Sequence, residues 1–258
     1  MLRLAGAAIL LTAFILIEVR QRDPLMPLPI FRLRTLRGAN IVGLLIGMSL
    51  FSMFFFISLY LQDVLHFSPI ETGISYLPLA VGIILSAGLA SQLVTRLGFK
   101  PPLLVGLLLI AGALVWFAQA PGIAGSYGTD VLGPSLLAAV GLGFSFVTVT
   151  IAAVAGTKPH EAGLASGLIN TSQQVGGALG LAILATIANS RTQSLFHAGV
   201  HTTSVALTKG YDRAFLVGSG FAIAGAMLAA MLISSRDSRT HAEAARHGDP
   251  AVARAAAS

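Results

Sequence analysis

Apart from Arg3 and Glu71, next to the starts of their runs, charge is confined to the gaps between long apolar runs, and this limits the fold more than any motif does. The runs are Leu2–Ile17, Asn40–Gln62, Ile70–Val94, Leu103–Phe117, Val131–Ala155, Ala162–Ser190 and Ala214–Ile233. Most approach or exceed the roughly 20 residues that cross a bilayer as a helix at about 1.5 Å per residue. Only 10% of the residues are charged and the mean hydropathy is +0.83, whereas a soluble domain carries about 25% charged residues. In lipid each backbone group must pair within its own segment, so such runs become helices. The expected fold class is therefore an all-α membrane protein with seven transmembrane helices.

The organisation follows from what separates the runs. Residues 1–19 form a first transmembrane helix, and residues 20–39 a basic loop in which Pro24, Pro27 and Pro29 forbid a continuous helix. Residues 40–235 hold six further spans. Residues 236–258 read as a polar, disordered tail. Arg20, Arg22, Arg32, Arg34, Arg37, Arg96, Lys100, Lys158 and the arginines of the tail fall on one side. Arg3, Arg191, Lys209 and Arg213 fall on the other. The excess places the tail in the cytoplasm. Seven spans then put Met1 outside, which hints that Met1 is not where the ancestral protein began.

Within residues 40–235 polarity repeats. Spans two and three carry polar side chains and span four carries none. Spans five and six carry them again, and span seven has Ser219 alone. Two three-helix units that start on opposite sides of the membrane form a 3+3 inverted repeat. Spans four and seven are expected outside, with the other four facing inward.

Span six is the most polar. At helical spacing Gly163, Ser166, Asn170, Gln173, Gly177 and Gly180 share one side, and Leu164, Leu168, Val175, Leu179 and Ile183 lie roughly opposite. An unpaired amide in hydrocarbon costs several kcal/mol, so Asn170, Gln173 and Gln174 must meet protein or a wet pathway. Gly177 and its small neighbours permit a close helix crossing. Met48, Phe51, Phe55 and Tyr60 of span two offer stacking and cation–π contact to a flat hydrophobic or cationic ligand. Ser145 and Thr148 of span five are further candidates for a pathway. The competing reading of each is plain interhelical packing.

Gly163-Leu164-Ala165-Ser166-Gly167-Leu168-Ile169-Asn170-Thr171-Ser172-Gln173-Gln174-Val175-Gly176-Gly177-Ala178-Leu179-Gly180 resembles the penultimate helix of the fourteen-span drug–proton antiporters of the major facilitator superfamily. Ser68-Pro69, Gly73, Leu77-Pro78-Leu79-Ala80 and Gly82 are similar to their tenth helix. Arg96-Leu97-Gly98-Phe99-Lys100 resembles the superfamily's cytoplasmic loop motif, with Arg96, Gly98 and Lys100 matching and with Thr95 and Phe99 in place of an acid and an arginine. The resemblance implies a C-terminal half, one linker helix plus the six-helix C domain, in a bacterial inner membrane. It implies as partners the missing N-terminal half, a small hydrophobic or cationic substrate, protons and the lipid bilayer. The carboxylates that couple protons would lie in the N-terminal half.

The residues exclude other classes. No acid or base sits at mid-membrane; Glu71 and Asp130 are near span ends. No cofactor is expected. His197 and His201 are four residues apart without an acid ligand nearby, so no metal is expected either. With no Cys, disulfides and thiol catalysis are excluded. No nucleophile constellation or phosphate loop suggests an enzyme, and the basic loops lack the aromatic interleaving of a nucleic-acid binder. The alternative to a half-transporter is a non-transporting membrane fragment or a helix-packing interaction protein.

Overall fold

Four helices in this chain start at prolines, at Pro69, Pro78, Pro101 and Pro134. The computed structural model describes residues 32–119, 125–155, 157–158 and 161–246, with Ile30 and the isolated positions Gly6, Thr12, Ala13 and Leu16. The expected first span, most of the 20–39 loop and the end of the tail lie outside the described residues. The helices are α1 (Arg34–Leu59), α2 (Pro69–Ser75), α3 (Leu77–Leu97), α4 (Lys100–Phe117), α5 (Gly133–Val154), α6 (Ala162–His197), α7 (Thr203–Leu232) and α8 (Ser235–Arg246). A π-helical turn, Tyr60–Val64, prolongs α1, and another, Tyr127–Leu132, leads into α5. Among the described residues there is no strand.

Several boundaries differ from those expected. Span three is two helices, because Pro78 opens α3 instead of kinking a continuous rod. α2 has its own start: Ser68 Oγ accepts from Glu71 N, and Glu71 returns a carboxylate oxygen to Ser68 N at 2.8 Å. α7 begins at Thr203, not Ala214, so Lys209, Asp212 and Arg213 are helical residues. α6 runs on to His197 while His201 precedes α7, so the two histidines share no helical face. Residues 235–246 are helical where a disordered tail was expected; the reason is a set of contacts described below.

Among the described residues, five helical segments are long and apolar enough to cross a membrane: Arg34–Val64, Pro69–Leu97, Lys100–Phe117, Tyr127–Val154 and Thr203–Leu232. α6, at 36 residues, has the length, but its run from Asn170 to Gln174 lowers its hydropathy. It is held by its neighbours. α1 packs on α6 and α7, α5 packs on α3 and α4, and α1 also meets α5 as α4 meets α7. Each unit's first helix thus lies against the second and third helices of the other unit, as a 3+3 exchange requires. α6 and α7 pack closely while α3 and α4 barely touch, so the exchange is incomplete.

The crossings use small residues. On α3 and α5, a Cβ at Gly82 would lie 2.8 Å from that of Ala139, and one at Gly143 would reach Ser86 Oγ. Ser86 Oγ donates to Ala139 O at 3.0 Å. On α4 and α5, a Cβ at Gly106 would lie 2.8 Å from Gly141 O. Half of the apolar stretch of α4 is buried within this chain, against 22% for the α2–α3 span. α3 turns Gly82 and Ser86 to α5 and leaves Val81, Ile84, Leu85 and Leu89 exposed.

Candidate functional site

The site grows from the α1–α6 crossing. The residues that α6 buries, from Ala165 and Ile169 through Gln173, Gly176, Gly177 and Gly180 to Leu184, recur at steps of three and four along one stripe. Opposite them α1 offers Gly43 and Gly47. A Cβ on Gly47 would collide with Gln173 O, and one on Gly176 with Leu44 O. At Gly180 it would stand 2.5 Å from Met48 Cα. Gly43 and Gly47, and Gly176 and Gly180, are two pairs at the spacing that lets helix backbones touch in a membrane. Ser172 Oγ donates to Asn40 Oδ1 at 2.8 Å across the same crossing, and Asn40 Nδ2 donates to Leu36 O at 2.9 Å.

Gln173 is 9% exposed inside this crossing, and its Nε2 has no hydrogen-bond partner among the described residues. Asn170 and Gln174 are instead exposed on its flank. The neighbouring Gly177 is covered by Phe51 of α1: a Cβ there would lie 2.5 Å from the ring. Phe51 is 41% exposed, and Phe55, one turn on, 39%. Asn170, Gln174, Phe51 and Phe55 therefore lie exposed around the covered Gly177 and form an uncharged surface along the α1–α6 crossing. It offers amide donors and acceptors beside aromatic faces, which can hold a flat hydrophobic or cationic molecule. It has no group for acid–base chemistry.

The remaining candidates lie elsewhere. Met48 is buried beneath Gly180. Ser145 is buried against Gly106 of α4, with its Oγ unpartnered among the described residues. Thr148 is buried and donates to Phe144 O of its own helix at 2.5 Å. Tyr60 is buried at the end of α1, in a small pocket with Ile57, Phe117, Asp130, Val131, Tyr211, Asp212 and Phe215. Sequence reasoning missed this acid–aromatic cluster. Tyr211 OH donates to Asp63 at 3.2 Å, and Lys209 pairs with the 8% exposed Asp212 at 3.1 Å. Starting the last span at Ala214 had left Tyr211 and Asp212 in a loop.

The loop motif sits at the opposite end. Gly98 has φ 80° and ψ 175°, a region essentially reserved for glycine, and a Cβ there would strike Ser238. Lys100 N donates to Ser238 Oγ at 3.0 Å. Lys100 Nζ donates to Ala230 O and Ile233 O, both at 2.7 Å, and so caps the end of α7. Arg96 is exposed on α3. Phe99, which replaces an arginine of the motif, is fully buried among core residues such as Leu36, Leu103 and Val149. Gly98→Ala is expected to cost about 3 kcal/mol, since strain and collision add. Thermal unfolding in detergent measures this, and trypsin should then cut at Arg236 and Arg239 in the variant before the wild type.

This chain is similar to three bacterial proteins whose names concern drugs. It is 36% identical over 236 residues to the puromycin resistance protein of Streptomyces alboniger, covering 88% of this chain and 46% of that one. It is 34% identical to the tetracenomycin C resistance and export protein of Streptomyces glaucescens, over 75% of this chain and 36% of the other. It is 34% identical to a multidrug resistance protein B homolog of Mycobacterium tuberculosis, over 65% and 31%. The chain spans less than half the length of these relatives. With its helices crossing pairwise through small residues, and with the Major Facilitator Superfamily model matching residues 4–181, more than half of its length, the chain belongs to that superfamily.

Proposed function

We propose that this chain acts as the C-terminal half of a proton-coupled multidrug exporter of the fourteen-span type, with the α1–α6 surface as one wall of its substrate cavity. The observation that carries this reading is the exposed pair Asn170 and Gln174 on a membrane-spanning helix. Amides at that depth must meet protein, water or a ligand, because hydrocarbon leaves them unpaired. Phe51 and Phe55 beside them suit small hydrophobic or cationic molecules. The resistance and export names of the relatives, and the chain's coverage of less than half of each, agree with it. The partner is an N-terminal half that closes the cavity and holds the proton-coupling carboxylates. The basic end with Lys100 and α8 faces the cytoplasm of a bacterial cell.

The chain has no Cys, so single cysteines report without background. In the chain joined to its N-terminal half, Asn170→Cys and Gln174→Cys should react with a water-soluble maleimide faster than Leu168→Cys or Gln173→Cys, since thiols in hydrocarbon or packed protein stay protonated and shielded. A transported drug should slow the first two. Equal rates at all four positions, unchanged by drug, would reduce the amide flank to a packing feature.

A further inference from the structure

α8 is polar, yet it is fastened to the ends of membrane helices. Its Ser238 and Ala242 are buried, 2% and 5% exposed. Ser238 Oγ accepts from Lys100 N at 3.0 Å, and Thr35 Oγ1 donates to Asp237 at 2.6 Å. Lys100 Nζ donates to Ser235 Oγ at 3.1 Å. These bonds pin α8 to the first turns of α1 and α4, directly after the last turn of α7. The end of α3 lies there too, at Gly98, so four spans end beside α8 and it lies at the level of the lipid headgroups.

The face it turns outward is built for an anion. Ser235, Arg236, Arg239, Thr240 and Glu243 line an open groove of about 440 Å³. Arg236 and Arg239 have no ion pair or hydrogen bond among the described residues, while Glu243 has a partner of its own. Asp237 is engaged by Thr35. Arg34 and Arg37, exposed in the first turn of α1, add charge at the same end. Two guanidiniums flanked by hydroxyls are a donor set that fits phosphate oxygens. A groove at headgroup depth with this charge meets anionic lipid before it meets any soluble phosphate.

We propose that α8 is a lipid-binding helix, in which Arg236 and Arg239 hold the phosphate of an anionic phospholipid from the adjoining leaflet. The proposal concerns the chain in its membrane and stands whether or not the α1–α6 surface binds drug.

The test uses the full chain purified in mild detergent. Native mass spectrometry then counts bound phosphatidylglycerol against phosphatidylcholine at equal concentration. Attraction of each arginine to an anionic surface is worth about a fivefold change in affinity. Arg236→Gln/Arg239→Gln should therefore lower phosphatidylglycerol retention by about 25-fold and leave phosphatidylcholine unchanged. Arg213→Gln, on the opposite end of α7, should change neither. Arg236→Lys/Arg239→Lys should keep most of the binding, because charge remains. Both arginines are exposed, so the variants should melt like the wild type. Equal retention in wild type and double Gln variant would overturn the proposal. So would displacement of the lipid by millimolar inorganic phosphate, which would mark a site for a free anion.

Discussion

Gly47→Leu and Gly176→Leu are each expected to pull α1 and α6 apart and to abolish the folded state in mild detergent. Either Cβ would land on a carbonyl of the facing helix, Gln173 O or Leu44 O. Backbone cannot rotate aside as a side chain can, so the crossing must open. Overpacking costs about 1–3 kcal/mol where side chains can adjust, and more where they cannot. Opening this crossing also exposes Gln173 and parts Ser172 from Asn40. Against a total stability of about 5–15 kcal/mol, the loss is large. Gly88→Leu and Gly163→Leu are the controls, since a Cβ at either meets nothing within 4 Å. They should lie within about 0.5 kcal/mol of wild type. Gly177→Leu should fall between, because the group it displaces is the half-exposed Phe51 ring. Thermal unfolding of the five variants ranks them. A Gly47→Leu chain that melts with the controls would show that the helices do not meet here.

The chain expressed alone is expected to insert into the membrane and to confer no drug export. Under the proposed function the α1–α6 surface is one wall of the cavity, and between Arg37 and Asp63, and between Glu161 and Arg191, there is no charged residue to carry a proton. A wall without its partner leaves Asn170 and Gln174 uncovered and gives a substrate no enclosed site. The measurement is accumulation of a fluorescent cation in cells lacking their own exporters, with insertion checked by labelling a single cysteine near α8. Accumulation should match the empty vector. Clear proton-dependent export by this chain alone would overturn the half-transporter reading and require two copies to build a cavity between them.

Much of the architecture was legible in the order of residues. Runs without charge fall where the spans lie, because lipid tolerates no unpaired backbone and few charges. The glycine-rich stretch from Gly163 to Gly180 carried the superfamily resemblance, and the small-residue pairs announced a close crossing. Prolines 69, 78, 101, 102 and 134 mark helix starts, since the first turn needs no donor from them. Where charges ended a run, however, the reading failed. Lys209, Asp212 and Arg213 looked like a loop but are helical, because the pocket lined by Tyr60 and Asp130 and the Lys209 pair shelter Asp212.

Which side of α6 is buried was decided only by tertiary structure. Asn170, Gln173 and Gln174 spread over roughly a quarter turn of helix, so polarity alone put them together. Gly43 and Gly47 of α1 chose among them: backbone contact at Gly47 and Gly176 buries Gln173 and rotates Asn170 and Gln174 onto the open flank. The same holds for α8. Its sequence is short and polar, and a helix of that kind is marginal in isolation. It forms because Gly98, with a backbone that only glycine adopts readily, leaves room for Ser238, whose hydroxyl bonds Lys100 across 138 residues of chain. Local sequence sets where helices can run. Contacts between residues far apart in the chain set which of their faces are hidden, and so which residues remain to meet a ligand.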